Sequence, residues 1–165
     1  MKWHDSGATY SPCGRYRYTL WRQWNDVPSP RTLVFICLNP STATAEFNDP
    51  TVSRLEERAR RLGYDRLVVL NVFAWRSTDP HVLPDLHDPI GPDNDEAILR
   101  ETASAAMVIC AWGNHAKLGN RSAYVESLLR RAGTQIYYLV MNGTGIPAHP
   151  LYKSYDLLPK LWEAK

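Results

Sequence analysis

The run Thr32-Leu33-Val34-Phe35-Ile36-Cys37-Leu38 is an unbroken apolar stretch after its first residue, rich in β-branched and aromatic side chains, and it stops abruptly at Asn39-Pro40-Ser41-Thr42. A strand with one wet face would alternate apolar and polar residues; this one does not, so it reads as buried on both faces. Such strands belong to sheets covered by helices on both sides, where ligands bind beyond the carboxyl ends of the strands. The polar cluster of Asn39, Ser41 and Thr42 therefore stands where chemistry is expected.

The same pattern recurs along the chain. Asp49-Pro50-Thr51 precedes residues 52–62, where Leu55, Ala59 and Leu62 recur at helical spacing; Pro50 and Thr51 suit a helix entry and Gly63 its exit. Residues 66–70 form a second apolar run ending at Asn71, which is followed by Val72-Phe73-Ala74-Trp75-Arg76. Strand, helix, strand predicts a right-handed parallel crossover that sets Asn71 beside Asn39. A helix is expected over 93–105 and a third strand over 106–111, ending at Trp112-Gly113-Asn114-His115. A further helix over 120–132, closed by Gly133, and a fourth strand over 135–140 lead through Gly143 and Gly145 to Pro147-Ala148-His149-Pro150. The expectation is one α/β domain over 1–165: a three-layer α/β/α sandwich with a central, mostly parallel four-stranded sheet in 32–152, and an N-terminal β extension in 1–31. Its active edge gathers Asn39, Asn71, Asn114 and His149.

A chain of 165 residues has room for one core, and 44% hydrophobic with 22% charged residues is a globular balance. The excess of 19 Lys+Arg over 17 Asp+Glu is only +2, which excludes a bulk nucleic-acid coater and leaves room for a local basic surface. Six Trp and nine Tyr exceed ordinary packing needs, so some are expected at a ligand surface. In the N-terminal segment, Arg15, Arg17 and Arg22 interleave with Tyr16, Tyr18 and Trp21. Two readings fit those letters: contacts to phosphates and bases, or an edge strand guarded by charges. Cys13, Cys37 and Cys110 make no close-spaced metal pattern, and His81, Asp85, His87 and Asp88 are also ordinary turn formers in the proline-rich stretch 77–92. With neither GxGxxG nor GxxxxGK[ST] present, no metal and no organic cofactor is expected. The start of the chain has no apolar signal core and no stretch approaches a membrane span, so a cytoplasmic protein without a membrane partner is expected.

Leu38-Asn39-Pro40 after the first strand, Leu70-Asn71 after the second, Ala111-Trp112-Gly113 with Ala116 after the third, and His149-Pro150 after the fourth together resemble the uracil-DNA glycosylase superfamily. Within it the chain is most similar to a bacterial and phage family of unknown function. That family is marked by an RYxLxR segment between Arg15 and Arg22, LNPST, DPT, TDP, AWG and HPLY. The resemblance spans roughly residues 32–152 and implies a nucleobase pocket in an N-glycosidic hydrolase acting on DNA or a modified nucleotide. It implies that Asn39 orients a water, and since an amide cannot act as a general base, Asp49, a carboxylate near the same loop in the sequence, is the candidate base. It implies that Asn71 reads the base edge with both halves of its amide and that His149 stabilises the departing base. Phe47 is the candidate for stacking on the base, with Phe73, Trp75 and Trp112 as rivals, and Ser41, Thr42 and Asn114 complete the substrate-binding set. Leu151-Tyr152 stands where many such enzymes carry phosphate-gripping serines, which weakens the case for duplex DNA. The bland readings are an Asx-turn at Asn39, a helix cap at Asp49, and structural roles for Asn71, Trp112 and His149. A non-catalytic nucleotide or nucleic-acid binding module on the same fold is the alternative function.

Overall fold

The computed structural model describes residues 3–165 as a mixed α/β fold built on one sheet. The strands are β1 (Asp5–Tyr10), β2 (Arg17–Gln23), β3 (Thr32–Cys37), β4 (Arg66–Asn71), β5 (Met107–Cys110), β6 (Tyr137–Tyr138) and β7 (Lys160–Leu161). The helices are α1 (Pro50–Arg61), α2 (Asn94–Ala103) and α3 (Arg121–Arg131), with short 3-10 segments at Pro80–Asp85 and Asn114–Asn120. The sheet order is β1-β2-β4-β3-β5-β6-β7.

The four expected strands form the parallel centre, β4-β3-β5-β6. The sheet has seven strands rather than four, because the amino-terminal segment is part of it. β2 pairs antiparallel with β4 and carries β1 on its far side, while β7 pairs antiparallel with β6. β6 is much shorter than the expected strand over 135–140: past Tyr138 the chain leaves the ladder for a tight return in which the Val140 carbonyl accepts from Ala148 N–H at 2.8 Å.

Alternation in β3 divides the core. Leu33, Phe35 and Cys37 face one side with Val52, Leu55 and Ala59 of α1. Val34 and Ile36 face the other with Ile98 of α2 and Val125 and Leu129 of α3. Helices therefore cover both faces, which is why β3 shows no polar alternation: it has no wet side. α1 starts as expected, with the Asp49 carboxylate accepting Val52 N–H at 2.8 Å and proline in the first turn. Burial pushes the Cys37 thiol up to about 12 and the Cys110 thiol well above its ordinary range, so both behave as apolar core residues. No helix among the described residues is long and apolar enough to cross a membrane.

β2 is an interior strand, and this changes the meaning of its arginines. Arg22 is fully buried. Its guanidinium donates to the carbonyls of Trp21, Thr44 and Phe47 and to Asn48 Oδ1, and stacks 4.2 Å from the Trp3 ring centroid. One side chain thereby braces the loop 43–48 that carries the chain from β3 to α1. Glycine permits the neighbouring contact: a Cβ on Gly7 would lie 2.2 Å from the Trp21 ring packed across it. Arg22→Met keeps the apolar stem but removes four hydrogen bonds, and is expected to lower stability by about 2–4 kcal/mol in urea unfolding. Arg100→Met, at an exposed ion pair, is expected to change it by less than about 1 kcal/mol.

Candidate functional site

Beyond the carboxyl ends of β3, β4 and β5 lies a cleft of about 640 Å³. It brings together Asn39, Ser41, Asp49, Asn71, Trp112, Asn114 and His149 from segments far apart in sequence. Three candidates lie elsewhere. Phe73 is buried in the core on the α2/α3 face of the sheet, Thr42 lines a neighbouring groove, and Phe47 is 71% exposed on the braced loop. Phe47 sits away from the cleft because Arg22 draws in the backbone around it while its side chain points outward.

His149 is held by two turns that cross beside it. Gly113 N–H donates to the Pro147 carbonyl at 2.8 Å and Ala148 N–H to Val140 at 2.8 Å. Gly113 has φ 77°, which the turn requires and which glycine adopts without strain, and a Cβ there would just touch His149 Cβ at 3.4 Å. His149 Nδ1 accepts the Leu151 N–H at 3.3 Å, which leaves the proton of the neutral ring on Nε2. Burial pushes the imidazole below its ordinary pKa, with the Asp49 carboxylate pulling the other way. At neutral pH the group is a neutral N–H donor.

Asn71 closes β4 at 2% exposure. Its carbonyl and that of Val72 accept from the buried Asn94 amide at 2.9 and 3.2 Å, which fixes the strand end. The Asn71 Nδ2 is buried and has no hydrogen-bond partner among the described residues. A donor in that state is costly unless something in the cleft accepts from it. Asn39 is half-buried and uses its Nδ2 twice, on the Pro40 carbonyl at 3.2 Å and the Ser77 carbonyl at 2.9 Å. Its Oδ1 remains an acceptor. Asn114 is the reverse case: its Oδ1 accepts from Asn142 and from the Thr144 hydroxyl, at 3.2 and 2.8 Å. Its amide N–H groups are left over.

Asp49 caps α1 with one carboxylate oxygen and accepts Ala43 N–H at 3.3 Å with the other. Trp112 is fully buried, with Nε1 donating to Ser122 at 2.8 Å, so it underlies the cleft rather than presenting a free ring face. Arg17, which the sequence marked only as one arginine of the amino-terminal segment, belongs to the cleft. It lines the cleft at 2% exposure, donates to the Ala43 carbonyl at 2.7 Å, and keeps a buried Nε without a partner. Burial lowers its pKa to about 10, opposed by the Asp49 charge, so it stays a cation at neutral pH. Its inward aim had no sequence signal, because Arg17-Tyr18-Thr19-Leu20 is buried on both faces and shows no alternation.

Fold and site define a mixed α/β protein with a cleft, lined by polar side chains, at the carboxyl edge of its parallel strands. The family described as "Protein of unknown function (DUF1643)" matches residues 17–151, and the chain belongs to it. No curated protein and no solved structure matches the chain. Among the described residues no cluster of three or more His, Cys, Asp or Glu side chains is arranged to hold a metal ion.

Two outcomes are expected. The His149 ring should titrate by NMR below the usual imidazole value of about 6.5, and lower still in Asp49→Asn, which keeps a capping side chain but removes the charge. Because the unfolded chain takes up that proton first, this contribution to stability is present above pH ~6.5 and is lost as pH falls through the depressed folded value. Gly113→Ala should cost about 1–2 kcal/mol in thermal or urea unfolding, since a side chain there is strained at positive φ.

Proposed function

We propose that the cleft binds a nucleobase and that the protein is an N-glycosidic hydrolase resembling the uracil-DNA glycosylases, acting on DNA or a modified nucleotide. The observation that carries this reading is the unpartnered, buried Asn71 Nδ2 in the same cleft as the Nε2–H of His149. Two donors in one cleft fit a flat ligand with acceptors on two edges, as a keto-bearing base has. Asn39, its Nδ2 already committed, turns Oδ1 to a water. As the C1′–N bond breaks, its electron pair leaves with the base, where His149 Nε2–H meets the developing charge on a base oxygen. The water oxygen bonds to C1′ and its proton passes to Asp49, whose oxygens keep lone pairs beyond the two backbone N–H groups they accept.

A second reading has its own support. Asn39 cannot be a base, and Asp49 is already engaged at a helix cap, so the same pocket serves equally as a binding module that recognises a nucleotide without hydrolysing it.

The deciding measurement is release of free base by wild type and His149→Ala, from single-stranded and duplex oligonucleotides carrying uracil, hypoxanthine, xanthine or alkylated bases, and from the matching nucleotides. The hydrolase reading expects release that falls about a hundredfold or more in the mutant. Saturable binding without release supports the module. Neither binding nor release overturns both. Asn71→Ala should weaken base binding about tenfold while changing stability by less than about 1 kcal/mol, because the lost donor has no protein partner.

A further inference from the structure

Beside the cleft runs a second, shallower groove of about 520 Å³ that shares Ser41, Ser77 and Thr78 with it, so the two are one continuous surface. Its far side carries Arg15, Trp75 and Arg76. From this we infer that the groove is the track of a single-stranded nucleic acid. In this arrangement Arg15 and Arg76 hold phosphates, and Trp75 stacks the nucleotide next to the one whose base enters the cleft. The inference rests on the nucleobase reading of the cleft and adds the polymer to it.

The groove is built rather than incidental. Arg76 N–H donates to the Arg15 carbonyl at 3.0 Å, Arg17 N–H to Ala74 at 3.0 Å, and Tyr16 and Trp75 form an antiparallel bridge, so the turn after β1 and the chain after β4 are tied backbone to backbone. Trp75 is half-buried, with Tyr16 packed edge to face at 5.5 Å. Its ring has a fixed orientation and costs little entropy to use as a stacking platform. Arg15 and Arg76 are exposed, and neither is ion-paired with a carboxylate among the described residues. Arg15 lies over Trp75 at 6.0 Å, free to move from the ring to a phosphate as a base takes its place; Arg76 is steadied by the Gly14 carbonyl at 2.9 Å and the Tyr10 ring at 4.9 Å. No acidic side chain lines the groove. The nearby Asp79 and Asp88 are taken up with His81 and with the N–H groups of Ile90 and Gly91. This basic, aromatic lining supplies the phosphate grip that the sequence after His149 lacks. A duplex hides its base faces from Trp75, so the groove selects single strands.

The test is fluorescence anisotropy with labelled single-stranded DNA and RNA about eight nucleotides long, their duplexes and an abasic strand, using wild type, the double variant Arg15→Gln/Arg76→Gln, and Trp75→Leu. Both arginines are exposed, so the double variant is expected to unfold with the wild-type midpoint, which circular dichroism checks. The expected result is single-strand binding at least about tenfold tighter than duplex binding. It should weaken about tenfold in the double variant, and the slope of log K against log salt should fall by about 1.4 for two lost phosphate contacts. Binding by DNA, RNA or both supports the inference when it shows that dependence. Single-strand affinity unchanged in the double variant, or duplex bound as tightly as single strand, overturns it. The two readings fail separately. Loss of the arginine effect with base or nucleoside binding intact removes only the groove, whereas abasic and intact strands bound equally, with the arginine effect present, remove only the base pocket.

Discussion

Burial of β3 on both faces is the constraint on which the rest of this molecule depends. Leu33, Val34, Phe35 and Ile36 are each 0% exposed, so the strand is stable only with a helix layer on either side. With α1 on one side and α2 and α3 on the other, β3 pairs with β4 and β5. The chain leaving β3 turns toward α1 while that leaving β5 turns toward α3, and their divergence opens a crevice at the carboxyl edge. Asn39 stands there because the apolar run stops where the covering helices stop.

A loop beyond a strand end is ordinarily mobile, and here two buried arginines oppose that. Arg22 takes up carbonyls between residues 44 and 47, and Arg17 takes the carbonyl of Ala43. Both come from β2, which reaches the site because it pairs with β4 rather than lying at the edge of the sheet. Charge buried in this way is a poor source of stability but a good source of order, since a guanidinium with fixed carbonyl partners tolerates few alternative loop positions. Asp49 then performs two tasks from one position: it caps α1 and sets the local field that Arg17 and His149 experience. A single carboxylate couples the start of a helix to the protonation of the cleft.

Four amides, of Asn39, Asn71, Asn114 and Asn142, line the cleft beside Arg17, Asp49 and His149, whose imidazole is held neutral by burial, so neutral donors and acceptors stand around a buried cation. Two further cations, Arg15 and Arg76, stand in the groove that leads away from the cleft. Under the proposed reading the inner groups meet a base and the outer arginines its phosphate backbone.

Much of this was legible from residue order alone. The apolar runs determined the parallel strands, the cap and exit residues determined α1, and the polar termini singled out Asn39, Asn71, Asn114 and His149, all of which meet in the cleft. These are local signals: they depend on period, on turn chemistry and on where hydrophobicity ends. Phe47 belongs to the same loop as Ser41, yet it faces solvent, and Phe73, two residues after Asn71, is core. Direction past a strand end is set by what the backbone meets, here Arg22 for one and the α2/α3 layer for the other. The place of β2 inside the sheet, the inward aim of Arg17 and the meeting of Arg15 with Trp75 depend on pairings across dozens of residues. Periodicity carries no record of such pairings. The sequence by itself determined the central strands, the main helices and the polar residues that end them; the tertiary structure alone decided how the outer strands extend the sheet and which residues share a cavity, because that follows from strand order and buried hydrogen bonds between distant segments.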